Sequence, residues 1–342
     1  MYIIGLDIGG TKVEAMLLEF RQEGNEQWQR YYLPAAQGAA AAAGYFRIVQ
    51  RQRLPTQRCR SYAAIVEDMA ALIQRLIGEQ GIKDAEVVGL GLAAPGSIHP
   101  ERQEMMAGSS GVFIGQDLTG DLQRALAWQG VVSLENDANC FAWAEAVAGV
   151  GLRFGDTIGD KTILGIILGT GVGGGVVIRG RLLSGRRGGA GEWGHCRLFP
   201  GGAPCYCGNN GCVERYLSGP GLEAQYHQQY YQQSPERPDA LAIFKLAEVF
   251  EPMAIAVVKQ YQRHLAQFLA TLSQCFDPDV IVLGGGVSTQ AVLYEELGDL
   301  LGPYLFVKEE PPTVVRHHLG DSAGGIGAAL LAAAHFYAIR NR

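Results

Sequence analysis

The chain has 342 residues, of which 48% are hydrophobic and 18% charged, and a net charge of −6. That composition can bury a sizeable core and excludes a disordered chain; the mild acidity argues against non-specific binding to nucleic acid or anionic membrane. At roughly 100–200 residues per domain the length fits two domains, and 47 glycines, about twice the usual share, point to tight turns and close backbone approaches.

The start MYIIGLDIGG shows no basic segment ahead of an apolar core, and no uncharged apolar run is expected to reach the ~18 residues of a spanning helix. The expectation is a cytoplasmic protein without a membrane partner. Residues 2–8 read as a buried strand broken by Gly9-Gly10, and 13–19 as the returning strand. Strands are expected over 27–33 and 45–54, joined through an alanine-rich stretch at 35–44 that reads as the loop of an extended hairpin or a recognition flap. Helical spacing of Ile65, Met69, Leu72, Ile73 and Leu76 predicts a helix over 62–79. A strand at 86–92 ends at Ala94-Pro95-Gly96, a helix covers 118–128, and a strand at 131–134 runs into Glu135-Asn136-Asp137 and a helix over 138–150.

A β-branched strand at 162–168 stops at Gly169-Thr170-Gly171 and returns over 176–179. Residues 180–212 read as glycine-rich loop, helices fill about 240–276, and a strand at 280–283 meets Gly284-Gly285-Gly286. An alanine-rich helix closes the chain from 323 to about 337. Strands alternate with helices, and the strand–glycine-turn–strand unit occurs twice, so the fold class is α/β with two related halves.

The two glycine turns carry phosphate chemistry. In Asp7-Ile8-Gly9-Gly10-Thr11-Lys12 the glycines let backbone approach a phosphate, Thr11 and Lys12 add a hydroxyl and a cation, and Asp7 suits Mg²⁺; the alternative is an ordinary hairpin with a capping Asp. Gly169-Thr170-Gly171 repeats that chemistry about 160 residues on, which fits one nucleotide held by two halves. Neither turn is a Walker A loop. Gly284-Gly285-Gly286 is a third close-approach turn, suited to adenine and ribose or simply to a strand end.

The seven cysteines are Cys59, Cys140, Cys196, Cys205, Cys207, Cys212 and Cys275. An odd count without secretory context, with four crowded into 196–212, points to metal rather than cystine. His195, Cys205, Cys207 and Cys212 supply one imidazole and three thiols, a closed structural zinc set, with Gly208 and Gly211 permitting the chain reversal. Cys196 is left outside it. In Glu135-Asn136-Asp137-Ala138-Asn139 the aspartate is either a helix N-cap or a carboxylate serving as general base.

The segments LDIGGTK, GLAAPGS, ENDANCFAWAE, ILGTGVGGGVV, GEWGHCRL, CYCGNNGCVE, DPDVIVLGGGVS and LGDSAGGIGAA run in one order across nearly the whole chain. The chain thereby resembles the ROK family (repressors, open reading frames and sugar kinases), and within it bacterial fructokinases/mannokinases and N-acetylglucosamine kinases. The resemblance implies a two-lobed actin/hexokinase-type ATPase fold with ribonuclease H-like repeats. It implies a small lobe of 1–136 plus 326–342, a large lobe of 137–325 carrying the zinc loop and dimer surface, and Mg-ATP in the interlobe cleft. Asp137 would be the general base toward a hexose hydroxyl, and Asn136, Glu192, His195 and Glu214 sugar ligands. ATP, Mg²⁺ and a structural zinc are the implied cofactors, and a homodimer the implied assembly. One departure stands out: Gly108 occupies the place where a sugar-loop Asn is expected, with Ser109 or Ser110 as substitutes. An N-acetylhexosamine kinase is the alternative activity. A sugar-responsive regulator is a more distant one, since six residues before Asp7 leave no room for a DNA-binding domain. The zinc loop and the Asn136-Asp137 pair argue against a chaperone or filament ATPase of the same fold.

Overall fold

The computed structural model describes residues 1–9, 12–35, 41–55, 61–108, 111–230, 237–308 and 310–340, without the side chains of Asp84, Asp156, Gln229 and Tyr230. In chain order the first elements are β1 (Tyr2–Ile8), β2 (Lys12–Arg21), β3 (Gln29–Leu33), β4 (Ala42–Pro55), α1 (Tyr62–Glu79), β5 (Val87–Ala94), β6 (Ser97–Ile98), β7 (Met105–Ala107), α2 (Leu118–Leu126), β8 (Val131–Asn136) and α3 (Asp137–Val147). There follow β9 (Thr162–Leu168), β10 (Val172–Ile178), β11 (Arg181–Leu182), α4 (Glu214–Leu217), α5 (Gly219–Tyr230), α6 (Ala240–Glu248), α7 (Pro252–Phe276), β12 (Val280–Gly284), α8 (Leu297–Leu301), β13 (Val314–Arg316) and α9 (Ala323–Arg340). The chain divides into two compact units: residues 1–161, 175–191 and 318–342 form the first, and 162–174 with 192–317 the second.

The first unit holds a six-stranded sheet in the order β3-β4-β2-β1-β5-β8. β1, β5 and β8 run parallel, and β2, β4 and β3 are added antiparallel. Leu33 pairs with Ala42, so the alanine-rich stretch does join two hairpin arms; its residues 36–40 lie outside the described residues. One sheet face buries Ile4, Leu6, Leu90 and Leu92 under the apolar stripe of α1 and under Leu118 and Leu122 of α2. Ser61 caps α1 by accepting from the Ala64 amide, so the helix starts where its apolar period starts.

α9 packs on the sheet at β1, β5 and β8 and on α3. It comes so near that a Cβ at Gly5 or Gly91 would stand 2.1 or 1.9 Å from carbonyl oxygens of α9. Part of the glycine and alanine excess therefore serves backbone-to-backbone packing. The stretch Gly320–Arg340 is long and apolar enough to cross a membrane, which corrects the expectation that no run reaches that length. Its small residues Ala328, Ala329, Ala332 and Ala333 are buried against the sheet and α3.

The packing of α3 on α9 also moves a boundary. The lobe limit expected at residue 136 falls inside one packed unit, which continues to Lys161 and regains the chain from His318. Glu145 ties this corner together. It is fully buried; one carboxylate oxygen accepts from the amides of His318 (2.9 Å) and Leu319 (2.8 Å), and the other from Val150 (3.1 Å). Glu145→Ala orphans three amides, each costing about 1–3 kcal/mol when left buried and unpaired. Denaturant unfolding should show a loss of about 3 kcal/mol or more in the first unit; an unchanged midpoint would dismiss the anchor.

In the second unit β9 pairs parallel with β12, and β12 parallel with β13. β10 opens in this unit and ends in the first, where it pairs antiparallel with β11. A helical layer of α4–α8 accompanies the sheet. The helical stretch expected over 240–276 is broken at 249–251. Pro252 takes the first position of α7, where its missing amide costs nothing, and Glu251 stays extended before it and caps the helix. α5, within 219–230, has no strong amphipathic period and was not foreseen.

Candidate active site

Three parallel strands of the first unit end together. Asp7 pairs with Ala93, and Ala93 with Glu135, so one row crosses β1, β5 and β8 at their carboxyl ends; Ala94 pairs with Asn136 one step further. Ligands of open α/β sheets bind at this edge.

The structure settles which residue caps α3. Asn136, not Asp137, is the N-cap: its Oδ1 accepts from the Asn139 amide at 3.0 Å. Its Nδ2 donates to the Gly96 carbonyl at 3.0 Å, tying the cap to the loop after β5. Asp137 is the first helical residue, half-buried, with Oδ1 accepting from the Ala138 amide at 2.8 Å. Glu135 holds the turn from behind. One of its oxygens accepts from the Asn136 amide (2.9 Å) and Asn139 Nδ2 (3.0 Å), the other from Ser184 Oγ (2.7 Å). Sequence reasoning passed over Glu135; the available signal was a third polar residue at the end of an apolar strand.

Gly9 donates to the Lys12 carbonyl at 2.9 Å, which closes the first glycine turn; Gly10 and Thr11 lie outside the described residues. Asp7 projects beside this turn from the last turn of β1. Desolvation, then repulsion from Glu14, push its carboxyl up to about 6, and Lys12 offsets only part of that. A carboxylate so short of positive charge suits a cation, and Mg²⁺ prefers one or two such ligands. Gly108 also finds its reason. A Cβ there would stand 2.7 Å from the Pro95 carbonyl oxygen, so an Asn would force that loop to shift. Ser109 and Ser110 lie outside the described residues.

In the second unit the turn after β9 and the turn after β12 leave adjacent parallel strands, with Ile167 paired to Gly284. Gly169 donates to the Gly171 carbonyl at 3.0 Å and its own carbonyl accepts from Gly219 at the start of α5 (2.8 Å), while Thr170 is exposed. Gly285 has φ +82°, and Gly286 opens a 3₁₀ turn to Thr289. Glu214 opens α4 and aims back at the second glycine turn, where its Oε2 accepts from the Val172 amide at 3.1 Å. One of its oxygens is thus committed to that turn. Glu192 immediately precedes the 3₁₀ turn Trp193–His195.

His195, Cys205, Cys207 and Cys212 come together, with their ligand atoms all within 4.8 Å of one another. His195 Nδ1 lies 3.7 Å from Cys205 Sγ, and Cys207 Sγ 3.6 Å from Cys212 Sγ. Tetrahedral zinc with these donors needs neighbouring ligand atoms roughly 3.3–3.8 Å apart, so the set fits the metal. Gly208 and Gly211 take φ of +89° and +76° and make the reversal between the thiols. The Asn209 amide hydrogen-bonds Cys207 and lowers its thiol to about 7, whereas burial and the neighbouring thiols push Cys212 up to about 12. Cys196 is exposed and stays out of the set; no disulfide occurs among the described residues.

Nδ1 turned to the thiols leaves Nε2 of His195 facing outward, where Tyr206 Oγ-equivalent chemistry is supplied by its phenol: the hydroxyl lies 3.1 Å from Nε2 and the rings meet edge to face. Burial of that hydroxyl, then Glu214, Cys205 and Glu192, raise Tyr206 to about 12, although its ring is 73% exposed. Sequence reasoning missed Tyr206; its place between two thiol ligands was the signal.

This architecture is an α/β fold of the actin/hexokinase ATPase type. It resembles the crystal structure of a ROK hexokinase from Thermus thermophilus at a TM-score of 0.76 and 32% identity, covering 98% of this chain and 99% of that one. A ROK family glucokinase from Streptomyces griseus, solved with glucose and AMPPNP, follows at 0.72 and 28%, covering 97% and 99%. N-acetyl-D-glucosamine kinase of Aliivibrio salmonicida is 36% identical over 338 residues, 96% of this chain and 98% of its own. Residues 3–335 match the ROK family, and the chain belongs to it.

Proposed function

We propose that the protein is an ATP-dependent sugar kinase whose physiological acceptor is N-acetylglucosamine. The observation that carries the activity is the fixed carboxylate of Asp137, held by an Asn136 cap at the ligand-binding edge of three parallel strands. The acceptor is supported by relatives named N-acetyl-D-glucosamine kinases across nearly the full chain. It departs from the hexose first expected, in favour of the N-acetylhexosamine alternative. Glucose is the second reading, favoured by the glucose-bound relative from Streptomyces griseus.

In this reading a sugar hydroxyl oxygen forms a bond to the γ-phosphorus, the bond from that phosphorus to the β–γ bridging oxygen breaks, and ADP leaves with the electron pair. Asp137 accepts the hydroxyl proton. Asn136, Glu192, His195 and Glu214 orient the sugar through hydrogen bonds, and zinc on Nδ1 fixes the His195 ring with Nε2 outward. Backbone at Gly9, Gly10, Gly169, Thr170, Gly171, Gly284, Gly285 and Gly286, with Thr11 and Lys12, takes the nucleotide. Mg²⁺, held by Asp7, would supply charge neutralisation on the phosphates. A coupled assay with ATP and Mg²⁺ over N-acetylglucosamine, N-acetylmannosamine, glucose, mannose and fructose tests this. N-acetylglucosamine should give the highest kcat/KM; another sugar in the lead removes the acceptor, and no turnover with any removes the function.

Asp7 yields a stability test with a definite sign. Its folded pKa near 6 exceeds the ordinary 3.8, so the folded state binds the extra proton and the penalty grows as pH rises from about 4 to 6. Asp7→Asn should therefore stabilise the metal-free protein above pH 6 by up to about 3 kcal/mol, lose that gain below pH 4, and lose ATP-dependent turnover. Thermal melts across that range check it; a destabilised variant at pH 7 reverses the sign and dismisses the desolvated carboxylate.

A further inference from the structure

A cavity of about 450 Å³ lies wholly within the first unit, among β8, α3, α9, the β3–β4 hairpin arms and β11. Its volume suits a small organic molecule. Much of the wall is apolar, from Leu134, Leu182, Leu331 and Ala338. Two lining side chains are each 95% buried, and each holds a polar atom with no hydrogen-bond partner: Ser133 Oγ and Trp143 Nε1. Unpaired buried polar atoms are uncommon and call for an explanation, and both of these can donate. Arg181 lines the same cavity, and no carboxylate lies within ion-pair distance of it among the described residues. The lining carboxylate, Glu135, already accepts on both oxygens.

The open hydrogen-bonding capacity is thus a set of donors and a cation inside a mostly apolar wall. A sugar would leave its hydroxyls unpaired against such a wall. From this juxtaposition we propose that the cavity is a second ligand site, separate from the phosphoryl-transfer residues, for a small carboxylate with an apolar body. The carboxylate takes the Trp143 and Ser133 donors and faces the Arg181 guanidinium, and the body fills the space against Leu182 and Leu331.

The probe is 6-fluoro-2-naphthoate, followed by fluorine NMR on the full chain, with the isosteric 6-fluoro-2-naphthylmethylamine as the charge-reversed control. The acid should bind saturably with Kd below about 1 mM, and the amine should not. Trp143→Phe keeps the ring and removes the donor, and Arg181→Ala changes only an exposed position; each should weaken the acid about tenfold. Ala334→Trp should fill the cavity and abolish binding. No binding of the acid, equal binding of the amine, or binding unchanged in Ala334→Trp or Arg181→Ala would overturn the site. The measurement reads binding alone, so its failure is distinct from failure of the kinase reading, which the sugar panel decides.

Discussion

Asp137→Asn should lower kcat by about 10²–10⁴ while the sugar KM stays within a few-fold, because the substitution removes basicity and little else. The structure makes this a clean test. The cap of α3 is Asn136, so changing Asp137 does not uncap the helix, and an Asn side-chain oxygen can still accept from the Ala138 amide at the present 2.8 Å. The melting temperature should therefore barely move. Asn136→Ala is the contrasting variant. It loses both the cap and the bond to the Gly96 carbonyl, and should cost about 1–2 kcal/mol of stability. If Asp137→Asn turns over within a few-fold of the parent protein, the base is elsewhere; if it melts like Asn136→Ala, its role is structural.

Cys207→Ser should remove zinc and, with it, sugar binding before ATP binding. His195, Cys205, Cys207 and Cys212 close a four-ligand site that leaves no position for a substrate oxygen, so zinc would serve structure and not Lewis-acid chemistry. The loop it pins carries Glu192 and His195 at one end and Glu214 at the other. Structural zinc contributes on the order of 10 kcal/mol of apparent binding energy in small zinc modules, far more than the backbone bonds of this loop can replace. Elemental analysis should find a single zinc ion per chain in the parent protein and a marked loss in the variant. The sugar KM should rise much more than the ATP KM, since Asp7 and the turn at Gly9 belong to the other unit. A metal-free, fully active parent protein removes the zinc. Two KM values that rise together leave zinc in place but refute its local role.

Local information was legible wherever it sufficed. The helix over Tyr62–Glu79 carries its own apolar period and its own cap, the hairpin over β1 and β2 carries its glycine turn, and the zinc set lies within eighteen residues of chain. The break before α7 was legible too, in Pro252, although the periodicity on either side hid it. Those features depend on residues within a turn or a loop of one another, and a sequence states them directly. What only the tertiary structure decided depends on pairing across distance. The row Asp7–Ala93–Glu135 exists because two parallel crossovers place three strand ends side by side. Asn136 rather than Asp137 became the cap because its amide also found the Gly96 carbonyl, and Gly108 replaced an Asn because the Pro95 carbonyl leaves it no room. Glu145 looks like any helix acid until α9 and the amides before it arrive from the far end of the chain. The unit boundary moved from 136 to 161 for the same reason: a helix joins the unit whose surface buries it, and the surface that buries α3 is the last helix of the chain.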